Sequence, residues 1–406
     1  MDAVRVLILC ADIGEGHLTI ARTLRDDLAA RADVEAVQLC TGLDVLGPRL
    51  GAFLTRGFEL HLDQLRWSYE LAYRVFFERA TGRRLGHFAL AALGGRALRH
   101  TVAAFRAHVV VVEYPLLSAA LGQLRLLGRL PVPVCSSISD PAGLYYWAHP
   151  GIDLHLLEFP ESVGEVEQIA GPGRSAVVRP LVDRRFLDPP DRATARKSLG
   201  LPEEAPVLLV SGGGWGVGDL AGAVEVATAT VPEAVVVCLA GRSERKRVQL
   251  SAAHAGNPGV WIVPFTDRMP EWLAAADVLV HTTGGTTALE ARVVGCRLVN
   301  YGTGPAHVRA HARAMQASGL AQWAPTPSSL APALGRALAA ERPAPLALDG
   351  LPDAATLVIG VASSKPAGGG GERLSGRARP VAKLGARLLA GEEQRQPGQA
   401  DLVQEE

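Results

Sequence analysis

Runs of aliphatic and β-branched residues with few polar interruptions recur along this chain. They are VRVLILCA at 4–11, AHVVVVEYP at 107–115, PVPVCSSISD at 131–140, VLLVSGGG at 207–214, AVVVCLAG at 234–241 and ADVLVH at 276–281. A strand that is apolar on both faces has no solvent side, and such strands belong in parallel sheets covered by helices above and below. After the first run, LTIARTLRDDLAA sets Ile20, Leu24 and Leu28 on one helical face, and VEAVQLC at 34–40 offers the next strand. This opening βαβ unit predicts an α/β fold with a doubly wound parallel sheet.

The apolar pattern lapses over VRPLVDRRFLDPPDRATARKSLGLPEEAP, residues 178–206, and then restarts in the same style, with VWIVPF and CRLVNYG as further strands. With 406 residues, 48% of them hydrophobic, the chain has material for more than one core. The expected architecture is two Rossmann-like domains facing a cleft, at 1–180 and 181–362, followed by a disordered Gly-, Pro- and charge-rich tail at 363–406. Residues 49–107 read as helices broken near Gly82 and Gly94. There Trp67, Tyr69, Tyr73, Phe76 and Phe77 alternate with Arg66, Arg74, Arg79, Arg83 and Arg84. Two readings stay open for this cluster: core aromatics with a solvated basic rim, or a patch that meets an acceptor or an anionic membrane.

Lys and Arg total 41, as do Asp and Glu, so bulk charge gives nucleic acid no support as a partner. The five cysteines are scattered without a CxxC pair and read as reduced thiols, three of them in strands, which speaks against zinc held by cysteine. Met1-Asp2-Ala3 is too short for a leader, and no run of eighteen apolar residues occurs. The expected location is cytoplasmic, with peripheral contact to the inner face of the membrane left open.

Three loops carry chemistry. In DIGEGH, Gly14 and Gly16 allow a tight turn at a helix start, and His17 stands at the carboxyl edge of the sheet, where an imidazole accepts protons near neutral pH. The spacing is neither a dinucleotide fingerprint nor a P-loop. In SGGGWGVG, Gly213 and Gly214 follow a strand directly and expose backbone N–H groups to a diphosphate. In HTTGGTTALEA, Thr282, Gly284, Gly285 and Thr287 open a helix suited to phosphate oxygens. Glu290 either completes a capping box with Thr287 or binds the ribose hydroxyls. Asp12, Glu113 and Asp140 end three strands of the first half, the edge where ligands of open α/β sheets gather.

With these loops in place, the sequence resembles the two-domain GT-B glycosyltransferases. Closest among them is the MGDG synthase and processive diacylglycerol glucosyltransferase family, with MurG, the peptidoglycan glycosyltransferase, more distant. DIGEGHLTIARTL, VVVVEYPLLSAALGQLRLLGRLPVPVCSSISD and WIVPFTDRMPEWLAAADVLVHTTGGTTALEA carry the resemblance, which spans roughly 4–325. It implies that His17 activates the acceptor hydroxyl and that Gly14 and Gly16 shape the loop near the diphosphate. It further implies that Gly213 and Gly214 form the donor-domain glycine loop, that Phe265 lies beside uracil and that Met269 follows in that segment. Gly284, Gly285 and Thr287 would then contact phosphate, and Glu290 would bind ribose. On the acceptor side stand Glu113, Asp140, Trp67 and Tyr73.

The implied activity is inverting, metal-independent hexosyl transfer from a nucleotide-diphosphate sugar, UDP-linked, to a hydroxyl of a lipid or small natural product, with no cofactor. The sequence departs from the pattern in two site loops and at the linker. Thr282 replaces a lysine before the Gly-Gly turn. GTGPAHVRAH, with His307, Arg309 and His311, replaces a Gln-Glu-rich sugar loop, and Arg309 is the candidate for the missing charge. Arg179 takes a linker glycine position. Two alternatives stay open, a degenerate nucleotide-sugar-binding protein and a UDP-sugar epimerase-like enzyme that uses the carboxylates Glu113 and Asp140.

Overall fold

The computed structural model describes residues 3–12, 15–63, 66–282 and 284–364. The first half runs β1 (Val4–Cys10), α1 (Glu15–Ala29), β2 (Val34–Thr41), α2 (Pro48–Asp63), α3 (Arg66–Tyr73), a π-turn, α4 (Ala80–Phe105), β3 (Val109–Glu113), α5 (Pro115–Leu126), β4 (Val134–Ile138), β5 (Leu154–Leu157), α6 (Val163–Ala170) and β6 (Ser175–Val177). The second runs α7 (Arg192–Leu199), β7 (Val207–Ser211), α8 (Leu220–Thr230), β8 (Val235–Leu239), α9 (Glu244–Ala253), β9 (Val260–Val263), α10 (Met269–Ala275), β10 (Val278–His281), α11 (Gly285–Val294), β11 (Arg297–Tyr301), α12 (Ala306–Ala317), β12 (Gln322–Ala324), α13 (Pro327–Ala339) and α14 (Ala354–Ser363).

Each half holds one parallel six-stranded sheet, ordered β2-β1-β3-β4-β5-β6 and β12-β11-β10-β7-β8-β9. Strand order reverses between β1 and β3 in the first sheet and between β7 and β10 in the second. At such switch points the loops leave in opposite directions and open a crevice at the carboxyl ends of the strands. The register brings those ends level, with Cys10 beside Glu113 and Ser211 beside His281. Both faces of each sheet are covered by helices, so β1, β3, β7 and β10 are almost entirely buried, as their apolar runs require.

The expected break at Gly94 is absent. α4 runs unbroken through Gly94, because this glycine serves close packing: a Cβ there would lie 2.6 Å from Leu46 Cδ2. The interruption falls earlier, at Arg79, just ahead of Gly82. The linker is also more structured than its lapse in periodicity suggests. It contains α7, capped by Asp191 accepting from the Thr194 N–H, and Arg196 of α7 is buried against Asp277 of the second half. Asp277 Oδ2 accepts from Arg196 at 2.8 Å and from the Val207 N–H at 2.8 Å, and Arg192 pairs with its other oxygen.

The proposed 181–362 boundary needs correction at its end. α14 packs Ala354, Ala355, Val358 and Ile359 with Val6, Ile8 and Ile20, the helix-covered face of the first sheet. The chain therefore crosses between halves twice, and the crossings meet where the Arg179 N–H donates to the Pro352 carbonyl at 3.0 Å. The expected disordered tail begins with Ser363 and Ser364, where α14 ends, and from 365 on lies outside the described residues.

Asp277→Ala removes the carboxylate paired with Arg196, leaving the buried guanidinium charge against backbone carbonyls alone. Urea unfolding of this variant is expected to show about 3–5 kcal/mol less stability than the parent, and an unchanged midpoint would contradict the brace.

Candidate active site

His17 lies in the first turn of α1, directly after the β1 edge, and Glu113 is the last residue of β3, the neighbouring strand across the switch point. His17 Nδ1 stands 3.3 Å from Glu113 Oε1, which also accepts from Ser139 Oγ at 3.1 Å. With Glu113 accepting from Nδ1–H, Nε2 keeps the lone pair. Glu113 is 1% exposed and His17 23%, so the carboxylate is sealed while the imidazole stays reachable. Tyr114 and Trp147 flank the ring at 5.8 and 5.6 Å.

Burial alone would push the His17 imidazole down. The hydrogen bond and charge of Glu113, with the charge of Asp140, outweigh it, and the net shift is upward from 6.5. Burial pushes the Glu113 carboxyl up, against the pull of His17. Asp140 is also withdrawn from solvent, yet His311, His17 and the Trp147 N–H bonded to Oδ2 at 2.8 Å hold it below the usual range. A further carboxyl, Glu158 after β5, is 2% exposed and held well above its ordinary value by burial and by Glu113. Sequence reasoning missed Glu158, Ser139 and Trp147. The first two follow strand ends and were legible as edge residues, whereas Trp147 reaches the site from an irregular loop.

Facing this edge is the second switch point. Gly284 is the N-cap of α11 and offers no side chain, so it supplies no cap of its own to the N–H groups of the first turn. The two halves touch here. A Cβ on Gly16 would lie 2.1 Å from Thr286 Oγ1, and one on Gly285 would lie 2.7 Å from the Ser139 carbonyl. Only glycine permits such approach, which brings His17 and the α11 N-terminus to one cleft. Gly14 lies outside the described residues.

Gly213 takes φ +68° in the loop after β7, and the Gly214 carbonyl accepts from the Arg242 N–H. The Arg242 guanidinium covers one face of Phe265 at 3.7 Å, while the ring stays 44% exposed. Met269 starts α10 and packs against the second core. Thr282 is buried, and its hydroxyl donates to the Val217 carbonyl, tying the glycine loop to the β10 edge.

The capping-box reading of Glu290 is overturned. The helix starts at Gly285, two residues before Thr287, so Thr287 is its third residue and Glu290 lies within the helix body. Burial, with Asp183 nearby, raises the Glu290 carboxyl to about 8, partly offset by the Thr287 hydroxyl. Arg185 binds both Asp183 and the Asp267 carbonyl, so the segment carrying Phe265 and the helix face carrying Glu290 approach the same turn.

Arg309 is not free to serve phosphate. Its Nη1 and Nη2 donate to Glu70 at 3.0 and 2.6 Å, and Nη1 also reaches the Gly304 carbonyl, which joins α12 to α3 of the opposite half. His307 lies 2.6 Å from the Tyr69 hydroxyl, and His311 Nε2 lies 3.7 Å from Asp140 Oδ2. The aromatic–basic cluster divides. Tyr73 is buried in a stack with Tyr69 and Phe77, whereas Trp67 is 68% exposed beside exposed Leu71, Arg74 and Phe76. Tyr73 is thus a packing residue. Among the described residues, no group of three or more His, Cys, Asp or Glu is placed to hold a metal ion, and no helix is long and apolar enough to cross a membrane.

No family model matches the chain. A UDP-N-acetylglucosamine–N-acetylmuramyl-(pentapeptide) pyrophosphoryl-undecaprenol N-acetylglucosamine transferase of Corynebacterium jeikeium is 35% identical over 132 residues, 32% of this chain and 34% of that protein. The chain spans about a third of the length of the curated relatives it matches. Among solved structures, MurG of Acinetobacter baumannii aligns with 88% of this chain and 93% of its own, at TM-score 0.52 and 15% identity. The UDP-GlcNAc 2-epimerase of Neisseria meningitidis, bound to UDP-GlcNAc, aligns with 88% and 98%, at TM-score 0.54 and 11% identity. The fold is GT-B. The relatives are of the MurG type, the more distant of the two resemblances in the sequence.

Two variants probe the site. If His17 is a base it must be unprotonated to act, and its raised value then predicts an acidic limb of kcat/KM above 6.5. Glu113→Gln removes the charge that raises it and leaves only a neutral acceptor, and the limb should move to lower pH; a limb that stays put removes Glu113 from this role. For Glu290, the folded value of about 8 exceeds the ordinary 4.5. Its stabilising proton is therefore lost as pH rises from the unfolded value through the folded one. Glu290→Gln should melt above the parent at pH 8 and level with it near pH 4.5, whereas a lower melting point at pH 8 would restore a structural role.

Proposed function

We propose that this chain is an inverting glycosyltransferase that moves a hexosyl group from a UDP-sugar to a hydroxyl of a lipid-linked or small natural-product acceptor, without a metal. One observation carries the reading: a reachable histidine, backed by a buried carboxylate, faces a helix N-terminus whose N-cap is a glycine, across a cleft formed by two switch points. His17 Nε2 takes the acceptor proton, and Glu113 stabilises the imidazolium that forms. Backbone donors of α11 receive the leaving diphosphate. The glycine loop at 212–218 borders the diphosphate, Phe265 lies against the base and Glu290 binds the ribose hydroxyls.

The relative from Corynebacterium is named for transfer to an undecaprenol-linked acceptor, which favours a lipid-linked acceptor here. So does the exposed apolar surface of the helical segment, where Trp67, Leu71, Phe76, Leu85 and Phe88 stand among exposed Arg74, Arg79 and Arg84. That composition suits an anionic membrane surface, with the protein on its cytoplasmic side.

A second reading, UDP-sugar epimerisation, draws on three carboxyls, Glu113, Asp140 and Glu158, at one strand edge. Incubation with UDP-sugars and a lipid extract separates the two. Transfer releases UDP and labels lipid, while epimerisation returns a different UDP-sugar without an acceptor. For transfer, His17→Ala should lower turnover by about 10²–10⁴-fold with UDP binding retained. UDP binding without any turnover in the parent would leave a nucleotide-sugar-binding protein.

A further inference from the structure

We propose that His311 is a catalytic residue of the donor site. Its Nδ1 donates to the leaving diphosphate, and Asp140 of the opposite half supports its charge once the halves meet. The proposal rests on the donor reading above and adds a residue to it.

Two independent observations point to the same spot. The N-cap of α11 is Gly284, which has no side chain to cap the helix N-terminus. Over it stands a buried nitrogen without a hydrogen-bond partner among the described residues: His311 is 4% exposed, its Nδ1 is unpartnered, and a Cβ on Gly284 would lie 3.0 Å from that atom. A polar atom withdrawn from water without a partner is costly, and an acceptor at the α11 N-terminus removes that cost. The two neighbours that could serve instead are engaged. The Thr282 hydroxyl is bonded to Val217, and Arg309 is bonded to Glu70.

The other face of the imidazole explains the timing. His311 and Gly284 belong to the same half, so their spacing persists when the halves part. Asp140 lies two residues past β4 of the other half, so its 3.7 Å approach to Nε2 depends on the two halves being together. On closure, the imidazolium lies between the diphosphate and Asp140, with His307 the adjoining titratable group on α12.

The balance of the step is as follows. The acceptor oxygen bonds to the anomeric carbon as the bond from that carbon to the diphosphate oxygen breaks, and the electron pair stays on the diphosphate. The acceptor proton goes to His17. His311 keeps its own proton, and its hydrogen bond strengthens as charge builds on the leaving oxygen, which lowers the barrier more than it tightens substrate binding.

Calorimetry with UDP and with uridine tests this in the full chain. His311→Asn and His311→Ala should weaken UDP binding roughly 10–100-fold and leave uridine binding unchanged, because only UDP carries the phosphates. Turnover should fall at least as far. Asp140→Asn should lower kcat with little change in the UDP Kd, and it carries the test if the His311 variants do not fold. A UDP-to-uridine ratio equal to the parent's, or an Asp140→Asn variant with parental kcat, overturns the proposal. A parent that binds neither ligand overturns the donor reading itself, and the proposal falls with it.

Discussion

Glu113 is a carboxyl group removed from water at the end of an apolar strand, and an isolated charge there would be expensive. What makes its position tenable is the pair it forms with His17, helped by the Ser139 hydroxyl. The same pairing gives the imidazole its tautomer and its upward shift. Neither residue would meet the other without the reversal of strand order between β1 and β3, which sends α1 and α5 to opposite sides and leaves both strand ends open. The buried acid, the reachable base and the crevice are thus consequences of one topological fact.

The second constraint is how closely the two edges approach. Gly16 against Thr286 and Gly285 against Ser139 let backbones come together where any side chain would hold them apart. α12 then fastens the closed arrangement through Arg309 with Glu70, His307 with Tyr69 and His311 with Asp140. His307, Arg309 and His311, which set the 302–311 segment apart from the resembled pattern, are therefore the ones that bind the opposite half. Of these, Arg309 matches its charge to α3 through Glu70.

Much of this was legible in the sequence. Buried parallel strands announce themselves as uninterrupted apolar runs, and the glycine-rich loops after β1, β7 and β10 mark the carboxyl edges, so fold and cleft followed from local patterns. Other features had no local signal. β6 and β12 are three residues each and too short to show a pattern. Gly94 looked like a breaker because sequence does not show that Leu46 presses against it. Glu290 matched a capping box three residues from Thr287, but the helix starts earlier, where the backbone rather than a side chain sets the cap. Arg309 offered a charge, and only tertiary structure reveals that Glu70 claims it.

The return of α14 to the first sheet gives the halves two covalent connections in place of one, and the Arg179–Pro352 hydrogen bond stitches those connections side by side. A single tether would let one half twist and slide over the other like a ball on a string. Two adjoining straps behave like a door hung on paired hinges, with freedom to swing about one line and little freedom to yaw. Under the proposed function, such a swing would return His17 to the same point opposite α11, with the alignment of base and leaving group set by the backbone of the two straps.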